Sequence, residues 1–177
     1  LTAGGRKPPA GFLKGIIKEY NITYVIGVDK GCAYLIDEGI DPDSAIGDFD
    51  SLSPEYLTEI LPEKRIKFSA KKDKTDLHLA IELILEYQPE LVVIAGATGE
   101  RSDHALCNLF LLKILLDKNI ESLIIDKYCK IELINARRVY KGISGTTLSV
   151  LPYTDKAEGV SFKGFKYPLD DTDIDTG

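Results

Sequence analysis

Residues 91–119 read LVVIAGATGERSDHALCNLFLLKILLDKN, and the order of residue types there decides the fold class. The opening LVVIAGA is a continuous apolar run, as expected of a strand at the centre of a parallel sheet, covered on both faces. A polar turn, TGER, follows. SDHALCNLFLLKILLDKN then carries a helical pattern, with Ser102 expected as its N-cap.

The same alternation runs outward from this stretch. TYVIGV (23–28) reads as a strand, followed by a helical segment closing near Gly39. SAIG (44–47) is a short strand, and SPEYLTEI begins a helix with Ser53 as N-cap and Pro54 in the first turn. RIKF is a further strand. TDLHLAIELILEY places Leu77, Ala80, Ile81, Ile84 and Leu85 on one helical face, and SLIID is another strand. Strand–helix alternation with short connections predicts an α/β fold: an open, mostly parallel sheet with flanking helices. From about Lys127 the helical period is lost. KIELINARRVYKG, TTLSVLPY and GVSFKGFKYPL are strand-like segments separated by Gly, Pro and Asp turns. The expected division is therefore an α/β domain over 1–126 and a smaller all-β, sandwich-like domain over 127–177. The chain opens abruptly with LTAGG, as though a strand had lost its first residues, and closes on DDTDIDTG as though cut.

Composition removes several function classes. A net charge of −6 disfavours a nucleic-acid backbone as partner, because that requires a basic face. The longest apolar runs are too short to cross a membrane, and no signal-peptide pattern is present. Cys32, Cys107 and Cys129 are odd in number, widely spaced and without a CxxC pair. Buried, reduced thiols in a cytoplasmic protein are the expectation.

Polar clusters follow four successive predicted strands: DKGCA, GDFDS, KKDKTD and GATGERSDH. In an open parallel sheet, ligands bind at the strands' carboxyl ends. Asp48 and Asp50, if extended, share a face, leaving Phe49 to anchor the loop in the core. Asp73 and Asp76 open the next helix, where the dipole favours anions. Such a group of carboxylates suits a hard divalent cation; the alternative is that these acids are helix caps and turn formers. The glycine turns in DKGCA and GATGERSDH can offer backbone N–H groups to phosphate. Lys71, Lys72, Lys74 and Arg101 can neutralise phosphate charge. His78 lies off its helix's apolar stripe, as a solvated residue would; His104 either contacts ligand or supports the loop.

GDFDS (47–51), KDKTD (72–76) and GATGERSDH (96–104), in this order and spacing, resemble the thiamine pyrophosphokinase family. VDKGCAYLIDEGIDPD, TAGG near the start and GFKYPL (164–169) extend the likeness to nearly the whole chain. The resemblance implies a nucleotide-binding α/β domain followed by a β-sandwich, as a homodimer, with Mg²⁺-dependent transfer of diphosphate from ATP to the hydroxyl of thiamine. By position, Asp48, Asp50 and Asp76 would be metal-binding or catalytic acids, with Lys72 and Asp73 completing that site. Asp29, Gly31, Gly47, Thr98, Gly99, Arg101, Asp103 and His104 would line the ATP pocket. There are departures from the family pattern. Lys30 stands where glycine is usual, Glu100 and Ser102 replace glycine and leucine, and the family's C-terminal Ser–Asn segment has no counterpart in these residues. Rival readings are a diphosphokinase for another alcohol such as a hydroxymethyl pterin, a nucleotide sensor without turnover, and a metal-dependent phosphatase.

Overall fold

Three residues at the start of the chain join the two halves of the sheet. In the computed structural model, which describes residues 1–69, 73–99 and 101–176, Thr2 bridges in parallel to both Gly27 and Ala95. Its flanking hydrogen bonds run to both neighbours: Thr2 N to Ile26 O and Ala3 N to Ala95 O, each 2.8 Å. On one side of this segment lie β1 (Ile26–Val28), β2 (Ser44–Gly47) and β3 (Arg65–Lys67). On the other lie β4 (Leu91–Ala95), β5 (Glu121–Ile125) and β6 (Lys130–Glu132). The pairing is parallel throughout except for β6, which runs antiparallel to β5. Chain direction away from the centre therefore reverses at the N-terminal segment, which makes its carboxyl end the topological switch point.

Helices cover both faces, and β4 shows why. Val92 and Ile94 pack with Leu77, Ala80 and Ile81 of α4 (Asp76–Leu85) and with Leu111, Leu112 and Leu115 of α5 (Ser102–Asp117). Val93 and Ala95 face the other way, onto Leu13 and Ile16 of α1 (Phe12–Glu19) and Tyr34 and Leu35 of α2 (Gly31–Asp37). A strand whose side chains alternate between two apolar layers must be apolar at every position. A third cluster gathers Cys32, Ala45, Phe49 and Ile60 near α3 (Pro54–Glu59).

Several sequence expectations change in detail. Helix α1 was not anticipated: Leu13 and Ile16 carry the right spacing, but Gly15 and the flanking Pro9 and Gly11 mask it. Ser102 is the first helical residue of α5 rather than its cap; Arg101 holds the cap position without a side-chain cap bond. Ser53 has cap geometry, yet its hydroxyl donates to Glu55 Oε2 at 2.6 Å. Of the cysteines only Cys32 is buried; Cys107 is half-buried and Cys129 exposed.

The chain divides into compact units over 1–135 and 136–177, so β6 extends the sheet of the first. In the second, β7 (Lys156–Phe162) and β8 (Leu169–Asp175) form an antiparallel pair with irregular register. The TTLSVLPY segment expected as a strand is not one, whereas the acidic DDTDID run belongs to β8. Alternating Thr172 and Ile174 half-bury one side of that strand, a period that the run of aspartates concealed.

Candidate active site

Parallel pairing brings the ends of β1, β2, β4 and β5 to one edge of the first unit. Asp29 follows β1, Asp48 follows β2, and Asp76 opens α4. These three carboxylates crowd together. Burial, then a hydrogen bond and charge from Asp76, then the charge of Asp48 push the Asp29 carboxyl up to about 7, against a pull from the Phe49 backbone N–H. Asp29 Oδ1 is fully buried and has no hydrogen-bond partner. Orphaned buried oxygens are rare enough to need a cause.

The backbone is bent to achieve this. Asp29 and Phe49 both take positive φ, 47° and 63°. Left-handed backbone at non-glycine residues costs about 1–3 kcal/mol each and persists only where surrounding structure enforces it. Phe49 supplies that enforcement, since its ring is buried beside Cys32 and Ile60. Gly47 is equally necessary, because a Cβ there would lie 1.7 Å from Asp29 Oδ1.

The positive φ at Phe49 also overturns the extended geometry expected for 48–50. The segment turns instead, with the Asp50 N–H donating to Asp48 Oδ1 at 3.0 Å. Asp48 is half-buried beside Asp29, while Asp50 is exposed. Thr75 rather than an aspartate caps α4, accepting from His78 N at 3.2 Å. Asp73 precedes that helix and is exposed. Lys74 is drawn to Glu82 at 2.7 Å, and His78 Nε2 lies 3.7 Å from the same carboxylate. Lys71, Lys72 and Glu100 fall outside the described residues.

The expected nucleotide-side residues occupy the adjoining loops. Gly31 is buried under the N-terminal segment, where a Cβ would lie 1.8 Å from Thr2 O. Thr98 and Gly99 are half-buried after β4; the Thr98 hydroxyl donates to Asp126 Oδ2 at 2.7 Å. Arg101, Asp103 and His104 are exposed at the start of α5. Arg101 forks onto Asp103 at 2.6 and 3.2 Å, and those bonds hold the Asp103 carboxyl down to about 2.

Sequence reasoning passed over the N-terminal loop and the end of β5, which meet at this same edge. Gly5 N donates to Gly96 O, Arg6 N to Thr98 O and the Tyr34 hydroxyl to Gly5 O. The sequence signals were TAGG near the start of the chain and a polar turn after the apolar run at IIDKY.

The donor set is all oxygen, which fits a hard divalent cation. Among the described residues, no three His, Cys, Asp or Glu side chains are gathered closely enough to hold an ion by themselves. That arrangement suits a small cation taking one or two carboxylates and completing its shell from phosphate oxygens.

Comparison with known proteins follows the two-part division. Residues 18–124 match the family described as thiamin pyrophosphokinase, catalytic domain, and residues 132–177 match thiamin pyrophosphokinase, vitamin B1 binding domain. A curated thiamine pyrophosphokinase from Bacillus subtilis (strain 168) is 37% identical over 182 residues, spanning 100% of this chain and 84% of that protein. The crystal structure of thiamine pyrophosphokinase from Bacillus subtilis superposes with a TM-score of 0.86 at 36% identity, over 99% of this chain and 83% of that one. That of thiamin pyrophosphokinase from Geobacillus thermodenitrificans gives 0.71 at 26% identity, over 98% and 81%.

Proposed function

Because the chain belongs to the thiamin pyrophosphokinase family across both its domains, we propose how its residues carry out the family's reaction, the ATP-dependent transfer of diphosphate to thiamine. The observation that carries the reading is the crowding of Asp29, Asp48 and Asp76, with an orphaned carboxylate oxygen, at the sheet edge that also carries the glycine-bearing loop after β4.

Asp48, Asp50 and Asp76 would be the acids from which Mg²⁺ takes its one or two carboxylates, with Asp73 beside them. When bound, that ion offsets charge on carboxylates and phosphate oxygens and on the oxygens that develop charge during transfer. Attack of the thiamine hydroxyl on the β-phosphorus releases AMP. Asp50 or Asp76, whichever the metal leaves unsaturated, would accept the hydroxyl proton as the new P–O bond forms. Lys72 and Arg101 stabilise phosphate oxygens, Arg101 by exchanging its bond to Asp103 for a phosphate. Asp29, Gly31, Gly47, Thr98, Gly99, Asp103 and His104 frame the nucleotide. Alignment of hydroxyl and phosphorus supplies much of the acceleration.

The remaining assignments rest on the same likeness. They are a nucleotide-binding part over 1–126, a thiamine-binding part over 127–177, and a homodimer in solution, which light scattering checks. Free cysteines favour a reducing compartment such as the cytoplasm. The deciding assay incubates the protein with ATP, Mg²⁺ and thiamine and follows AMP and thiamine diphosphate. ADP or inorganic phosphate in place of AMP would overturn the reading. A hydroxymethyl pterin accepted in preference to thiamine would overturn the choice of acceptor.

A further inference from the structure

We infer that Asn108, on the second turn of α5, is a positioning residue for the turn after β4. Its carboxamide holds one peptide so that the Thr98 N–H faces the open edge of the sheet, where it donates to a phosphate oxygen of the donor. This rests on the reading of ATP as donor.

The turn is anchored through its oxygens. Three successive carbonyls are each taken: Gly96 O by Gly5 N at 2.8 Å, Ala97 O by Asn108 Nδ2 at 2.8 Å, and Thr98 O by Arg6 N at 2.7 Å. The outer two bonds are backbone to backbone and come with the path of the N-terminal segment. The middle one is made by a side chain, so it depends on which residue stands at 108. A carbonyl only accepts, and the carboxamide must therefore present its NH₂ end to Ala97.

Direction follows from the helix. Asn108 stands six residues after Ser102, the first residue of α5, and so about 9 Å down the axis from the sheet's carboxyl edge. Its amide draws Ala97 O inward, away from that edge. In a trans peptide the N–H lies opposite the C=O, so the Thr98 N–H is turned outward. Among the described residues nothing accepts from that N–H, while the Thr98 hydroxyl is already given to Asp126 Oδ2. Ala97 is 3% exposed and packs in the larger core cluster. Without the amide its oxygen would be a buried acceptor with no donor, a costly state. The peptide would then rotate to bring that oxygen to water, and the edge would offer phosphate a carbonyl oxygen in place of an N–H.

The test compares ATP and thiamine kinetics at pH 8 for wild type, Asn108→Ala and Asn108→Asp. Ile114→Ala, half-buried on the same helix, controls for lost stability alone. Asn108→Ala should raise KM for ATP and the inhibition constant of Mg²⁺–tripolyphosphate about tenfold, the loss expected of one hydrogen bond to a charged group. Its kcat and KM for thiamine should stay near wild type, because the bond serves bound donor and transition state alike. Asn108→Asp keeps the shape but sets a carboxylate against Ala97 O, so its KM for ATP should exceed that of the alanine variant. A side chain needed only for packing would give the reverse order. Ile114→Ala should melt lower with KM for ATP near wild type. In wild type itself, Mg²⁺–tripolyphosphate should move the Thr98 amide proton downfield in nuclear magnetic resonance, a readout that needs no variant. Wild-type KM for ATP in both Asn108 variants, equal losses toward ATP and thiamine, or a Thr98 amide unmoved at saturation would overturn this role while leaving the donor reading intact. A wild-type protein that tripolyphosphate does not inhibit and that releases no AMP would overturn both.

Discussion

Asp29 concentrates the physical cost of the site in one side chain. Its ordinary value is about 3.9, and in the fold it rises to about 7, so the folded protein keeps a proton that the unfolded chain releases between those values. Stability of the ligand-free protein should therefore fall as pH rises from about 4 to 7, then level off. Asp29→Asn should remove that slope. Its gain over wild type, measured by urea titration, should be largest near pH 8 and vanish below about pH 4. Gly47→Ala is the complementary probe: the new methyl would force Asp29 out of its place, and diphosphate transfer should drop at least about tenfold with the far-ultraviolet spectrum unchanged. At this scale the sequence disclosed which acids matter as candidates. It could not disclose that the Asp48 charge crowds Asp29 across two strands while Asp50 turns outward, because the positive φ at Phe49 is imposed by packing of its ring.

Among the elements, α4 links stability to the site most directly. Thr75 caps it and Asp76 is its first residue, so one hydroxyl fixes both the helix start and a carboxylate. Thr75→Ala should cost about 1 kcal/mol in urea denaturation and should lower transfer activity beyond what Thr75→Ser does. The helices α4 and α5 and the strand β4 were legible because each encodes its own period within a dozen residues. Helix α1 was not, since glycine and proline interrupt a pattern only eight residues long. The strand character of DDTDID was hidden for a related reason: hydrogen bonds to a partner strand, rather than its own side chains, hold it extended.

Over the whole molecule, stability resides in two apolar layers either side of one sheet. Leu115 is fully buried in the larger layer, and Leu115→Ala should cost about 2–5 kcal/mol, read as a lowered denaturation midpoint. Ligand should act in the opposite sense. At a hundredfold excess over Kd, ATP with Mg²⁺ should add about 2.7 kcal/mol to stability, and EDTA should remove most of it. A melting temperature indifferent to EDTA in the presence of ATP would argue against a metal shared between carboxylates and phosphate.

The sequence by itself determined the alternation of strand and helix, the apolar faces and the order of the acidic and glycine-bearing loops. These depend on neighbours a few positions apart along the chain. Only the tertiary structure decided that residues 1–3 close the sheet at its centre, and that Arg6 meets Tyr128. It alone decided that Asp29 should be the acid left buried with an unanswered oxygen. Those outcomes depend on groups far apart in sequence, and their energies arise only when burial and like charge act on the same few atoms.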